Sequence, residues 1–164
     1  MDISTNYMGL PLSSPVIVSS SRLTGSAENI KIYARKGAGA IVLKSLFEEQ
    51  IMADIATKLD DHPMYYWYPR AAEHITELSK DHGVNEYIQL IRQVKEAVSI
   101  PVIASVNCIS AKGWTSFAKK LQEAGADALE LNIAIFPFDE TTAGCDVEEV
   151  YFDILKAVKA EVTI

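Results

Sequence analysis

Lys44 closes an apolar run, "AIVLKS", and Asn132 closes another, "ALELN". An ammonium offers three donors and a positive charge, and a carboxamide both donates and accepts. Set at strand ends, such groups are candidates to meet a ligand. Glu130 precedes Asn132 by two positions, so the two share one face if the run is a strand. Asn107 ends a third run, "PVIASVN", and Ser19, Ser20 and Ser21 end a fourth, "SPVIVSSS". Each has a plainer use. Lys44 could reach solvent or pair with Glu130, Glu130 is expected to take Lys44 or a backbone donor, and the serines could form an ordinary loop ahead of a helix. Asn132 inside an apolar strand requires a partner, whether backbone or ligand.

The elements that must position these groups alternate. "SPVIVSSS" (14–21) reads as a buried strand, and the stretch after it offers Ser26 as an N-cap, an apolar stripe and Gly37 as a stop. "GAIVLKS" (39–45) is a second strand, and "VNEYIQLIRQVKEAV" (84–98) carries a helical stripe. "IPVIASVN" (100–107) is a third strand, followed by the helix "AKGWTSFAKKLQEAGA". "DALELNI" is the fourth strand, "DVEEVYFDILKAVKAE" the fourth helix, and "VTI" the opening of a fifth strand.

Four βα units in a row argue for a parallel sheet with right-handed crossovers. A doubly wound sheet would want a Gly-rich phosphate loop after its first strand, and "SSSRLTGSAEN" holds none. The expected fold is therefore α/β, the first half of a (β/α)₈ barrel, whose active sites lie where the polar strand ends fall. A whole barrel needs about 250 residues, and this chain of 164 supplies one partial barrel domain over 1–164. Residues 46–83 interrupt it as an insertion, and its aromatic run "MYYWYPR" (64–70) suits a packed plug or subunit contact better than a wall for a flat ring. Open sheet edges favour association, with a second copy or with another half.

Composition narrows the function. Net charge is −7 with basic residues scattered among acids, which argues against nucleic acid. No apolar run approaches the roughly 18–20 residues that cross a bilayer, and the N-terminus does not read as a secretory signal, so a cytoplasmic protein without a membrane is expected. Cys108 and Cys145 lack a CxxC spacing, and His62, His74 and His82 lack the spacing of a helical ligand pair, so neither disulfide nor metal is expected.

"PVIASVNC" and "AGADALELNIAIFP", with "SPVIVSSS" and "AGAIVLKS" in register before them, resemble the dihydroorotate dehydrogenase family of flavin-dependent barrels. The similarity takes in most of the chain apart from the insertion. It implies FMN across the C-terminal mouth of the barrel, an oxidoreductase of pyrimidine metabolism and a small-molecule substrate. By position, Ser19 and Ser20 would lie beside the flavin ring, Lys44 would face ring and substrate, and Asn107 and Asn132 would bond the flavin edge or the substrate. A lysine there stabilises the negative charge of reduced flavin. The phosphate-binding loops of such barrels follow strands 7 and 8, so this piece alone should bind FMN weakly.

The chain departs from the family pattern at two places. After the fourth strand it reads "NIAIFPFDE", with Ala134 and Ile135 where a serine and the Cys or Ser base would stand. Isoleucine accepts no proton. Asp139 and Cys145 on the same loop are candidate substitutes, against the plainer reading of an exposed acidic loop leading into a helix. The aromatic insertion also replaces the family's substrate loop after the second strand. Together these imply a dihydropyrimidine-like or related CH–CH substrate, and they leave open a non-catalytic half-barrel that assembles with itself or another half.

Overall fold

The computed structural model describes the backbone of residues 1–53, 69–137, 139 and 141–164. Residues 64–68, most of the aromatic run, lie outside the described residues.

The chain opens with a hairpin that the sequence reading missed, β1 (Thr5–Tyr7) against β2 (Leu10–Leu12). Its two-residue turn needs positive φ at both positions, met by Met8 at 52° and Gly9 at 83°. A methionine is an uncommon host for that conformation, which is why the turn carries no sequence signal.

Strand β3 (Ile17–Val18) leads through a 3₁₀ turn at Arg22–Thr24 to α1 (Ala27–Arg35). Ser26 caps α1 by accepting from the Asn29 amide, as expected, and Gly37 follows its end at φ 92°. Next come β4 (Ala40–Val42), β5 (Leu46–Phe47) and helical residues 48–53. Helix α2 spans Pro69–Ala97, so it begins well before Val84 and takes up much of what reads as insertion. Pro69 at the first helical position costs no hydrogen bond. Then follow β6 (Val102–Asn107), α3 (Ala111–Glu123), β7 (Ala128–Leu131) and α4 (Gly144–Glu161).

The sheet is parallel and runs in chain order: β3 pairs β4, β4 pairs β6, and β6 pairs β7. A doubly wound sheet would reverse order at a switch point; this one does not, and its winding is that of part of a (β/α)₈ barrel. After α4, Val162 is extended (φ −128°, ψ 158°), and the Thr163 amide donates to Gln122 Oε1 at 2.7 Å. Residues 162–164, read as the opening of a fifth strand, pair with no strand among the described residues.

Alternation along the strands sorts the core into two sides. Ile41, Leu43, Val102, Ala104 and Val106 face the helices and meet Ile30, Ile91, Val94, Phe117 and Leu121. Ala40, Val42 and Ile103 face the other way, covered by Leu12 of the hairpin. The hairpin therefore closes the N-terminal end of the inner face and leaves the C-terminal ends free.

At the N-terminal ends of β6 and β7, Asp127 accepts two bonds from Lys95 Nζ (2.8 and 2.7 Å) and one from the Val102 amide (2.7 Å). Removing the carboxylate strands a backbone donor as well as an ammonium. Asp127→Ala is expected to cost about 1–3 kcal/mol in urea unfolding, and Lys95→Met clearly less.

Candidate functional site

Between β4 and β5 the ladder slips. Val42 pairs with Ile103 and Leu46 with Val106, so four steps on one strand (42 to 46) oppose three on the other (103 to 106). That is a one-residue β-bulge at Lys44–Ser45. Leu43 and Leu46 on either side both join the helix-side core, so the bulge turns two consecutive side chains, Lys44 and Ser45, toward the inner face. A regular strand would have spent one of them on the helices. The signal was visible in "VLKSLF": two leucines spaced by three cannot both face one side of an unbroken strand.

These residues line an open cleft of about 620 Å³ at the C-terminal strand ends, with Ser19, Ser20, Ser21 and Arg22 on one side and Glu130, Asn132 and Ile133 on the other. Phe47 lies on its border. The size falls within the roughly 300–1,000 Å³ usual for ligand pockets. Four of the five expected cofactor-binding residues, Ser19, Ser20, Lys44 and Asn132, therefore meet in one place.

Below the cleft a line of hydroxyls crosses the sheet. Ser105 Oγ donates to Glu130 Oε1 at 2.6 Å, Ser45 Oγ lies 2.7 Å from Ser105 Oγ, and Ser20 Oγ lies 3.0 Å from Ser45 Oγ. Each hydroxyl has one hydrogen. With that of Ser105 given to the carboxylate, Ser45 must donate to Ser105 and Ser20 to Ser45. The Ser45 amide returns a bond to Ser20 Oγ at 3.1 Å. Glu130 thus resolves its place in an apolar strand through Ser105, not through Lys44 or a backbone donor. Among the described residues the Lys44 ammonium has no ion-pair partner.

Asn107 is the fifth expected residue. Its Nδ2 donates to the Asn132 backbone carbonyl at 2.7 Å, and it is not among the residues lining the cleft. It supports the strand end that presents Asn132. Of the serines, Ser21 caps the 3₁₀ turn by accepting from Leu23, while Ser20 belongs to the hydroxyl line.

Ile135 is half-buried and carries no group that could take a proton. Asp139 is exposed and accepts both the Thr141 hydroxyl (2.6 Å) and its amide (2.8 Å), which hold its carboxyl below the usual range. Cys145 is exposed in the first turn of α4 beside Asp146. Neither candidate substitute lines the cleft. Buried Cys108, next to Asn107, has its thiol pushed up to about 12 by burial and by the nearby Glu48 carboxylate, so it stays neutral at physiological pH.

No family model matches the chain. It is 30% identical over 135 residues to the dihydroorotate dehydrogenase B (NAD(+)) catalytic subunit of Thermoplasma volcanium and 29% identical over 133 residues to that of Thermoplasma acidophilum, 81% of this chain in each case. By sequence the chain is similar to these dihydroorotate dehydrogenase subunits. The same-named subunit of Methanocella arvoryzae is 27% identical across the whole of this chain. The chain spans 42% of the length of each Thermoplasma relative and 52% of the Methanocella one. Among solved structures, an IMP dehydrogenase/GMP reductase-like protein from Corynebacterium glutamicum superposes with a TM-score of 0.46 at 15% identity, over 92% of this chain and 40% of that one. Among the described residues no helix is long and apolar enough to cross a membrane.

Proposed function

We propose that the chain forms the FMN-facing side of a dihydroorotate dehydrogenase-like oxidoreductase acting on a CH–CH bond of a dihydropyrimidine-like small molecule. One observation carries the reading. The residues that match the family's flavin positions, Ser19, Ser20, Lys44 and Asn132, converge on one cleft at the C-terminal strand ends.

The donor set suits a flavin's polar edge. Lys44 brings a cation that no acid neutralises among the described residues, Asn132 an amide that can donate and accept, and the serines further hydroxyls. FMN, when bound, would supply the hydride acceptor. Lys44 would hold negative charge at the ring's polar edge, and Asn107 would keep Asn132 in place through its carbonyl. The usual proton acceptor is missing at Ile135, so the substrate is taken as related to dihydroorotate and not identical with it. A reducing, cytoplasmic setting belongs to the same proposal and is supported by two free cysteines.

A second reading has its own support. Val150, Tyr151, Phe152 and Leu155 of α4 are exposed apolar side chains, and β3 and β7 are the outer strands of the parallel sheet. A non-catalytic half-barrel that joins a second copy or another half through these surfaces would use both features and would not need a base.

Titrating FMN with the purified protein and following quenching of flavin fluorescence separates the two. Saturable quenching is expected, weakened about tenfold by Lys44→Met, the size of one charge-assisted hydrogen bond, and unchanged by Asp139→Ala. Absence of saturable binding, or equal binding by Lys44→Met, would sink the flavin reading.

A further inference from the structure

The bulge that turns Lys44 and Ser45 into the cleft leaves a gap in the sheet. Leu43 N still donates to Ile103 O at 2.9 Å, which places the backbone groups of alternate β6 residues on the β4 side. The next rung would join the Ser45 amide to Ser105 O, but the Ser45 amide has turned to Ser20 Oγ. The backbone N–H and C=O of Ser105, a residue with no exposed surface, are left without a strand partner.

Tyr87 of α2 fills that gap. Its hydroxyl donates to Ser105 O at 3.1 Å and accepts from Ser105 N at 3.1 Å, doing with one atom what a neighbouring strand residue would do with two. The side chain is buried, and burial pushes its phenol well above the ordinary range, so it remains a neutral hydroxyl able to donate and accept at once. Without it, the Ser105 groups would turn to water or draw the Ser45 amide back into the ladder, and the second would rotate the Lys44–Ser45 pair.

Lys44 stands where such a rotation would matter. It borders the cleft and also a second cavity of about 340 Å³, lined by Tyr87, Glu86 and Gln50. Its stem passes over Gly25, where a Cβ would lie 3.5 Å from Lys44 Cδ. A relaxed bulge would change how the Lys44 side chain is shared between the cleft and the second cavity.

We propose that Tyr87 is a positioning residue for the candidate site: its hydroxyl keeps the β4–β5 bulge open and thereby sets where Lys44 stands at the border of the cleft. The flavin part of its consequence rests on the reading given above; the placement of Lys44 does not.

Two measurements test it separately. The first needs no ligand. Lysines are reductively methylated with ¹³C-formaldehyde, and the Lys44 resonance is assigned by its loss in Lys44→Met. That resonance is expected to move in Tyr87→Phe and in Tyr87→Leu, and to stay in place in Tyr33→Phe on α1. An unmoved Lys44 signal in Tyr87→Phe and Tyr87→Leu overturns the proposal, whatever happens to stability; having two variants guards against one that fails to fold. The second is a double-mutant cycle on FMN affinity. Tyr87→Phe should weaken FMN about fivefold in the parent and less than about twofold when Lys44→Met is already present. Equal factors in both backgrounds would show that Tyr87 does not act through Lys44 and would overturn it. If FMN fails to bind the parent while the Lys44 resonance moves, the flavin reading falls and the positioning role stands.

Discussion

Gly39→Ala should be among the most damaging single substitutions in the chain, costing about 3 kcal/mol or more in urea unfolding. A Cβ at Gly39 would lie 1.9 Å from the Ser14 carbonyl oxygen, 2.9 Å from its carbon and 3.2 Å from its nitrogen. All three atoms are backbone, so no rotamer change relieves the overlap; the first two barrel strands would have to separate where the Gly39 amide donates to Val16 O at 2.8 Å. Gly37 is the control. It has φ 92° and nothing within 4 Å of an added Cβ, so Gly37→Ala meets only backbone strain of roughly 1–2 kcal/mol. A Gly39→Ala midpoint no lower than that of Gly37→Ala would contradict the close approach of the strands.

Glu48→Ala is the second large effect. Glu48 is 8% exposed, and its carboxylate accepts the Ile109 amide (2.8 Å), the Ser110 amide (3.0 Å) and the Ser110 hydroxyl (2.6 Å). Ser110 in turn caps α3 by accepting from the Gly113 amide. One acidic side chain thus ties the end of β5 to the start of α3, where a negative charge is also favoured by the helix dipole. Removing it leaves amides near the helix start with no acceptor in their place, at about 1–3 kcal/mol for each buried donor that water cannot reach. A total loss of about 3 kcal/mol is expected, with Glu48→Gln recovering part of it because the amide oxygen can still accept. A loss below about 1 kcal/mol for Glu48→Ala would show that these bonds are replaced by water.

Glu48 also shows where sequence reasoning stops. It sits two residues beyond the start of the stretch read as an insertion, and nothing in "LFEEQI" says that the first of two glutamates is buried. The βα rhythm, the parallel sheet, the Ser26 cap and the Gly37 stop were legible because each depends on local periodicity or on one backbone conformation. So was the meeting of Lys44 with Asn132, since strand ends of consecutive βα units share a rim. Other features were settled by pairing across the chain. The bulge depends on which residues of β4 and β5 oppose β6, and Tyr87 reaches Ser105 across 18 positions of sequence. Glu130 was expected to take Lys44 or a backbone donor. It takes Ser105 instead because the strands place those two opposite each other in the ladder. The hairpin was missed because its turn uses Met8 where Asn or Gly would have announced it.

The open cleft and the hydroxyl line explain why a polar ligand suits this end of the sheet, and Ile135 explains why dihydroorotate chemistry in its usual form does not follow from the family likeness. The proposed ligand lies over the C-terminal strand ends, beside Lys44 and Asn132. Amide chemical-shift mapping of ¹⁵N-labelled protein on addition of FMN tests it most directly, because it reads weak binding residue by residue. The expected result is a set of concentration-dependent shifts at Ser19, Ser20, Lys44, Ser45 and Asn132, with Cys145 and the α4 face around Phe152 unmoved. Shifts confined to other surfaces, or none at saturating FMN, would contradict it.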